Sequence, residues 1–176
     1  MFQEISPYEL KDNAFTMIGR DWLLVAASKD GKSNAMTASW GGVGVMWGKP
    51  VVYVVVRPQR YTKTFLDSAE RFSVSVFPEE LRSMMNYMGT VSGRDEDKIA
   101  KSGLTQRQED GAPVFEESRL ALVCRKLFAQ PMEEASFLDK AVTERWYPEK
   151  DFHTLYIAEI EKVLVCLLYT SRAHET

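Results

Sequence analysis

Apolar and polar positions alternate strictly through Phe72-Ser-Val-Ser-Val-Phe77, and that period of two predicts a half-buried strand. Val51-Val52-Tyr53-Val54-Val55-Val56 has no polar face. It predicts a central strand covered on both sides, or one lying partly in a subunit interface. Trp22–Ala27 is a short apolar run and Asp30-Gly31-Lys32-Ser33 a turn signal. Trp22–Ser28 and Asn34–Trp40 therefore predict a hairpin, its loop slightly longer than the tightest type, with a Gly-rich turn at Gly41-Gly42-Val43-Gly44 after it. Leu120–Phe128 and Thr154–Leu168 predict two further strands.

Helical spacing appears in Tyr61–Ala69, with Phe65, Leu66 and Ala69 inward. Pro78-Glu79-Glu80 opens a second helix through about Met88, its acids in the first turn as the helix dipole prefers. Met84, Met85 and Met88 share one side of it and read as core. Ser92-Gly93-Arg94-Asp95 has capping-box spacing and predicts a short helix from Asp95 to Lys101. Asp110-Gly111-Ala112-Pro113 reads as a loop, and Met132–Tyr147 decides for neither helix nor strand. About six or seven strands and two or three short helices, without regular βα alternation, predict a mainly β, antiparallel barrel with helical additions.

The 176 residues fit one domain, with the tail from about residue 167 unassigned. An apolar fraction of 45% and a charged fraction of 27% are those of an ordinary soluble globular chain. A net charge of −3 argues against a nucleic-acid binder. No apolar run approaches the roughly 20 residues of a membrane span, and Met1-Phe2-Gln3-Glu4-Ile5 does not open a signal peptide. Cys124 and Cys166 sit in strand-like runs and read as buried, reduced thiols of a cytoplasmic protein. With only His153 and His174 beside them, no metal site is expected.

Three segments carry candidate chemistry. In Asn34-Ala-Met-Thr-Ala-Ser-Trp40, small side chains at Thr37, Ala38 and Ser39 leave main-chain groups open to a flat ring, although the stretch taken alone is equally an ordinary half-exposed strand. Arg57-Pro-Gln-Arg60-Tyr61-Thr62 joins a strand to a helix start, where unpaired N–H groups, the Arg60 guanidinium and the Thr62 hydroxyl favour an anion. Read without a ligand, it is a Thr N-cap beside a solvated Arg. Ser92-Gly93-Arg94-Asp95-Glu96-Asp97-Lys98 places Arg94 and Lys98 four apart, on one side of a helix if it starts by Arg94; otherwise the run is a solvated helix start. His153, just before the last strand, is a lone His of the kind more often structural than catalytic.

Together these residues resemble the flavin reductase-like, FMN-binding split-barrel family, and within it the flavoredoxin-type members. The resemblance lies in Asn34-Ala-Met-Thr-Ala-Ser-Trp40-Gly-Gly, Lys49-Pro50, Arg57-Pro-Gln-Arg60-Tyr61-Thr62, Phe72-Ser-Val-Ser, Ser92-Gly-Arg-Asp-Glu-Asp-Lys98 and His153-Thr-Leu-Tyr-Ile-Ala-Glu-Ile160. It implies a split β-barrel with Greek-key connections, a homodimer, and one FMN per subunit near the dimer interface. The implied FMN contacts are Asn34, Met36, Thr37, Ala38, Ser39, Trp40, Arg57, Arg60, Tyr61, Thr62, Ser92, Gly93, Arg94 and Lys98, with the phosphate around Arg60, Thr62 and Lys98. His153 is implied to lie near the ring or the nicotinamide. Phe152 stands where many members have Asp directly before the His, and the acid here is Asp151. The implied activity is an NAD(P)H:flavin oxidoreductase, with NADH or NADPH as donor. The alternative is a non-catalytic FMN electron carrier reduced by a separate reductase.

Overall fold

The computed structural model describes residues 1–170. Of the tail left unassigned from the sequence, Leu167–Thr170 forms a short helix, and residues 171–176 lie outside the described part. Ten strands are present among the described residues: β1 (Phe2–Ile5), β2 (Leu23–Lys29), β3 (Lys32–Ala38), β4 (Gly41–Met46), β5 (Lys49–Val56), β6 (Arg71–Val76), β7 (Gln106–Glu109), β8 (Ala112–Phe115), β9 (Leu120–Pro131) and β10 (Thr154–Cys166). The helices are α1 (Ala14–Gly19), α2 (Tyr61–Ser68), α3 (Arg82–Thr90), α4 (Lys98–Ser102), α5 (Lys140–Trp146) and α6 (Leu167–Thr170).

All strand pairs are antiparallel, and the main sheet runs β3-β2-β6-β9-β10-β5-β4. β10 organises it. The N-terminal half of β10 pairs β5 and its C-terminal half pairs β1, while β9 follows it along most of its length with two register shifts. Such shifts bend a strand and raise its twist, so the sheet curls into a split barrel with a seam between its two ends, β3 and β4. Only Ser39 and Trp40 separate those two strands in sequence.

Alternation sorts the apolar residues into layers. Val25, Val52, Val54, Phe72, Val74, Leu122 and Tyr156 fill the barrel. Leu24, Ala26 and Ala35, on the opposite face of β2 and β3, pack under Met84, Met85 and Met88 of α3 and Ile99 of α4, so the methionines are core as expected. The β7–β8 hairpin covers a third layer that includes Ala121 and Val123.

Several elements differ from the sequence reading. The β2–β3 loop is the tightest kind: Asp30 and Gly31 have φ of 51° and 75°, a two-residue turn whose twist suits a hairpin. Gly41–Gly44 is not a turn but strand β4; Gly42 lies opposite Tyr53, whose ring covers it, and the turn falls at Trp47-Gly48. β6 is buried on both faces rather than half-buried, because Ser73 lies beneath β8 and its hydroxyl donates to the Pro113 carbonyl. Asp110-Gly111 is the turn of a hairpin whose second strand includes Ala112 and Pro113. The helix expected from Asp95 begins at Lys98, capped by Asp97, whose carboxylate accepts from the Ala100 N–H; Ser92 instead caps its own turn by accepting from the Arg94 N–H. Within β5, Val52, Val54 and Val56 face the core, Tyr53 is exposed and Val55 half-buried. Both cysteines are buried and unpaired.

Candidate functional site

The barrel seam holds a cleft of about 430 Å³, lined by Met36–Trp40 on one side and by Val55, Arg57, Arg60, Trp146 and His153 on the other. β3 ends the sheet and pairs only with β2, so main-chain N–H and C=O groups along its free edge are left without a strand partner. Met36 packs in the barrel core, with Ala38 half-buried against it. The Thr37 hydroxyl donates to the Met85 carbonyl of α3 and is thereby turned towards that helix. The seam therefore presents strand-edge backbone and small side chains to the cleft.

Arg60 also lines a second pocket of about 170 Å³, and so joins the two cavities. The smaller pocket lies where two loops meet: Gln59, Arg60, Tyr61 and Thr62 on one side, Thr90, Val91, Ser92, Gly93 and Lys98 on the other, with Asn34 between. Asn34 is buried and donates through Nδ2 to Thr62 Oγ1 at 2.9 Å. Gly93 is required here, since a Cβ would run into the Asn34 amide oxygen and lie 2.9 Å from the Tyr61 ring. Arg60, not Thr62, is the N-cap of α2, and its side chain makes no capping hydrogen bond, so no side chain caps the Tyr61 and Thr62 N–H groups beside the pocket.

Electrostatics marks this pocket. The Arg60 guanidinium donates to the Gly89 carbonyl at 2.8 Å, while its Nη2 is buried without a partner. Lys98 is 2% exposed and donates only to the carbonyls of Met88, at 2.8 Å, and Val91, at 2.9 Å. Among the described residues, neither cation has a carboxylate within ion-pair distance. Burial lowers the Arg60 pKa, and burial with the nearby Arg60 charge lowers that of Lys98 to about 8. Two desolvated cations without an acid are costly unless an anion joins them.

At the other end of the cleft, Arg57 donates to Asp151 at 2.7 Å and to the Trp146 carbonyl at 2.8 Å, and lies 5.0 Å from the centre of the Tyr147 ring. Hydrogen bonds from Gln59 and from Arg57 hold the Asp151 carboxyl below its ordinary pKa. His153 is 7% exposed, and its Nδ1 is 2.6 Å from the Tyr147 hydroxyl. Burial, aided by the Arg57 charge, lowers the His153 pKa to about 4. The imidazole is therefore neutral near pH 7. Trp40 and Trp146 meet edge-on, with ring centres 4.9 Å apart.

Of the residues singled out in the sequence, Met36, Thr37, Ala38, Ser39, Trp40, Arg57, Arg60 and His153 line the cleft. Asn34, Tyr61, Thr62, Ser92, Gly93 and Lys98 line the smaller pocket. Arg94 lines neither. It precedes α4, and its guanidinium donates to the Gln59 carbonyl at 2.9 Å. Trp146 and Tyr147 were not picked out. They belong to the stretch whose pattern decided nothing, where Asp139 as N-cap of α5 and the aromatic pair before Pro148 were the available signals.

A family model described as Flavin reductase like domain matches residues 17–172, and the chain belongs to that family. An uncharacterized protein of Archaeoglobus fulgidus is 31% identical over 108 residues, 60% of this chain. The chain spans only 59% of the length of that curated relative. Among solved structures, flavoredoxin from Methanosarcina acetivorans superposes with a TM-score of 0.68 at 22% identity, covering 94% of this chain and 78% of its own. Flavoredoxin of Desulfovibrio vulgaris (Miyazaki F) gives 0.66 at 25% identity, covering 84% and 70%. The fold is thus the antiparallel split barrel that the sequence predicts.

Proposed function

We propose that the protein binds FMN across the two joined cavities and acts as a flavin reductase-type oxidoreductase, taking electrons from NADH or NADPH. The observation that carries this reading is a pair of cations without an acid among the described residues, Lys98 buried and Arg60 half-buried with its Nη2 enclosed, set at the start of α2 and beside the cleft that Arg60 also lines. Arg60, Lys98, the Thr62 hydroxyl and the first N–H groups of α2 would hold the phosphate. The edge of β3 would orient the ring, with Trp40 and Trp146 shielding it from water. Neutral His153 sets an uncharged imidazole at the cleft. Bound flavin supplies the redox chemistry, and no side chain of this chain is required to act as acid or base for it.

The test is direct. Protein mixed with FMN and freed of excess ligand should be yellow, and NADH or NADPH added anaerobically should bleach the flavin band. Failure to retain FMN overturns the cofactor assignment. Retention without bleaching favours the second reading, an electron carrier reduced by another protein.

The Lys98 ammonium gives this site a pH signature. Because its pKa in the free protein is lowered to about 8, it loses its charge as the pH rises through that value, and an anionic ligand then loses its partner. FMN affinity should fall between about pH 8 and 10 while riboflavin affinity stays flat. In Lys98→Met the two ligands should show the same pH profile; a retained FMN-specific fall would remove Lys98 from the phosphate site.

The same reading includes a homodimer. Val45 is 65% and Trp47 57% exposed, and Met46, Tyr53 and Phe128 extend that apolar surface, Trp47 and Phe128 standing 6.4 Å apart. Apolar patches of this kind commonly mark association sites. Sedimentation at low micromolar concentration should give a dimer, and Trp47→Asp should shift it to monomer. A monomer for the unmutated protein overturns the dimer. No helix among the described residues is long and apolar enough to cross a membrane.

A further inference from the structure

We propose that Arg94 selects a flavin monophosphate over a flavin dinucleotide by tying together the two loops that wall the anion pocket; this rests on the flavin reading above. The pocket measures about 170 Å³, whereas cavities that enclose drug-sized molecules are roughly 300–1,000 Å³. Its enclosed part is of phosphate size, and an adenylate attached to that phosphate would lie outside it. On this proposal the adenylate leaves between the 59–62 loop and the 90–94 loop. Those loops already touch where Gly93 meets Asn34 and Tyr61.

Arg94 bridges them a residue further on. Its Nη1 donates to the Gln59 carbonyl at 2.9 Å, and its guanidinium stands 4.9 Å from the centre of the Tyr61 ring. Its own N–H is held by Ser92 Oγ at 3.2 Å, which fixes the direction in which the side chain leaves its loop. A planar guanidinium that stacks and donates at once is a rigid tie, which a lysine does not reproduce. FMN leaves this tie intact. A dinucleotide has to break it.

The sign of the effect separates this role from simple attraction of anions. Both flavins carry anionic phosphate, so an Arg94 that merely attracted them would weaken both on removal and leave their ratio unchanged. As a tie it penalises only the dinucleotide. Apo-protein titrated with FMN, FAD and riboflavin, followed by quenching of flavin fluorescence, measures this for the unmutated protein, Arg94→Ala and Arg94→Lys. The unmutated protein should prefer FMN. In both variants the FMN-to-FAD affinity ratio should fall about tenfold or more, the scale of one charge-assisted hydrogen bond, through a gain in FAD affinity. If Arg94→Ala does not fold, Arg94→Lys decides. A ratio unmoved in the folded variant, or equal binding of FMN and FAD by the unmutated protein, overturns this role alone. Absence of any flavin binding by the unmutated protein overturns the flavin reading and this role with it.

Discussion

Replacing Arg60 by Ala should weaken FMN binding by about 1.5–3 kcal/mol, roughly ten- to 150-fold, and leave riboflavin almost unaffected. The magnitude is that of a hydrogen bond to a charged partner. The selectivity follows from geometry: the guanidinium has one nitrogen committed to the Gly89 carbonyl and another buried and unpartnered where the two cavities join. The substitution also lifts a repulsion, since the Arg60 charge contributes to the lowered pKa of Lys98. The Lys98 pKa should therefore rise in the variant, moving the alkaline loss of FMN affinity to higher pH. Titration calorimetry with both ligands measures the first effect, and equal losses for FMN and riboflavin would place the phosphate elsewhere.

The second large effect is expected away from the ligand. Leu66 is wholly buried in the barrel core and anchors α2, the helix whose first turn lines the smaller pocket. Leu66→Ala should cost about 2–5 kcal/mol of stability, the range for a buried Leu whose cavity cannot collapse fully. The apo-protein midpoint in urea should fall without a change of slope. Saturating FMN should then recover part of the loss, about 2.7 kcal/mol at a hundredfold excess over its dissociation constant, because ligand binds only the folded chain. A variant as stable as the unmutated apo-protein would mean that α2 is not held by this contact.

Much of this molecule is legible in its sequence, for identifiable reasons. Phe65 and Leu66 at helical spacing, and Val52, Val54 and Val56 at strand spacing, face the core because burial follows periodicity. Arg60, Thr62 and Lys98 converge because a strand–helix junction and a second loop bring donors together. What escaped depends on tertiary context. Nothing in Phe72–Phe77 announces that β8 covers its serine face, so a two-sided strand reads as one-sided. Gly41–Gly44 reads as a turn because the reason for small residues, the Tyr53 ring across Gly42, lies on the neighbouring strand. Trp146 enters the cleft from a seven-residue helix with no buried residue, too short and too solvated to leave a periodic signature.

The seam between β3 and β4 bears on how the chain behaves before any ligand arrives. A closed barrel has no free edges; the main path of this sheet ends at two, β3 and β4, which lie two residues apart in sequence. Unpaired strand edges are templates on which another chain can add a strand; in β3 Asn34, Ala35 and Met36 are buried, which leaves the uncharged, half-buried Thr37–Ala38 end as the accessible part. A planar molecule seated against that end would cover it, keeping newly made chains from sticking to one another. Solubility during synthesis would then be limited by the supply of that molecule as well as by the protein's own stability.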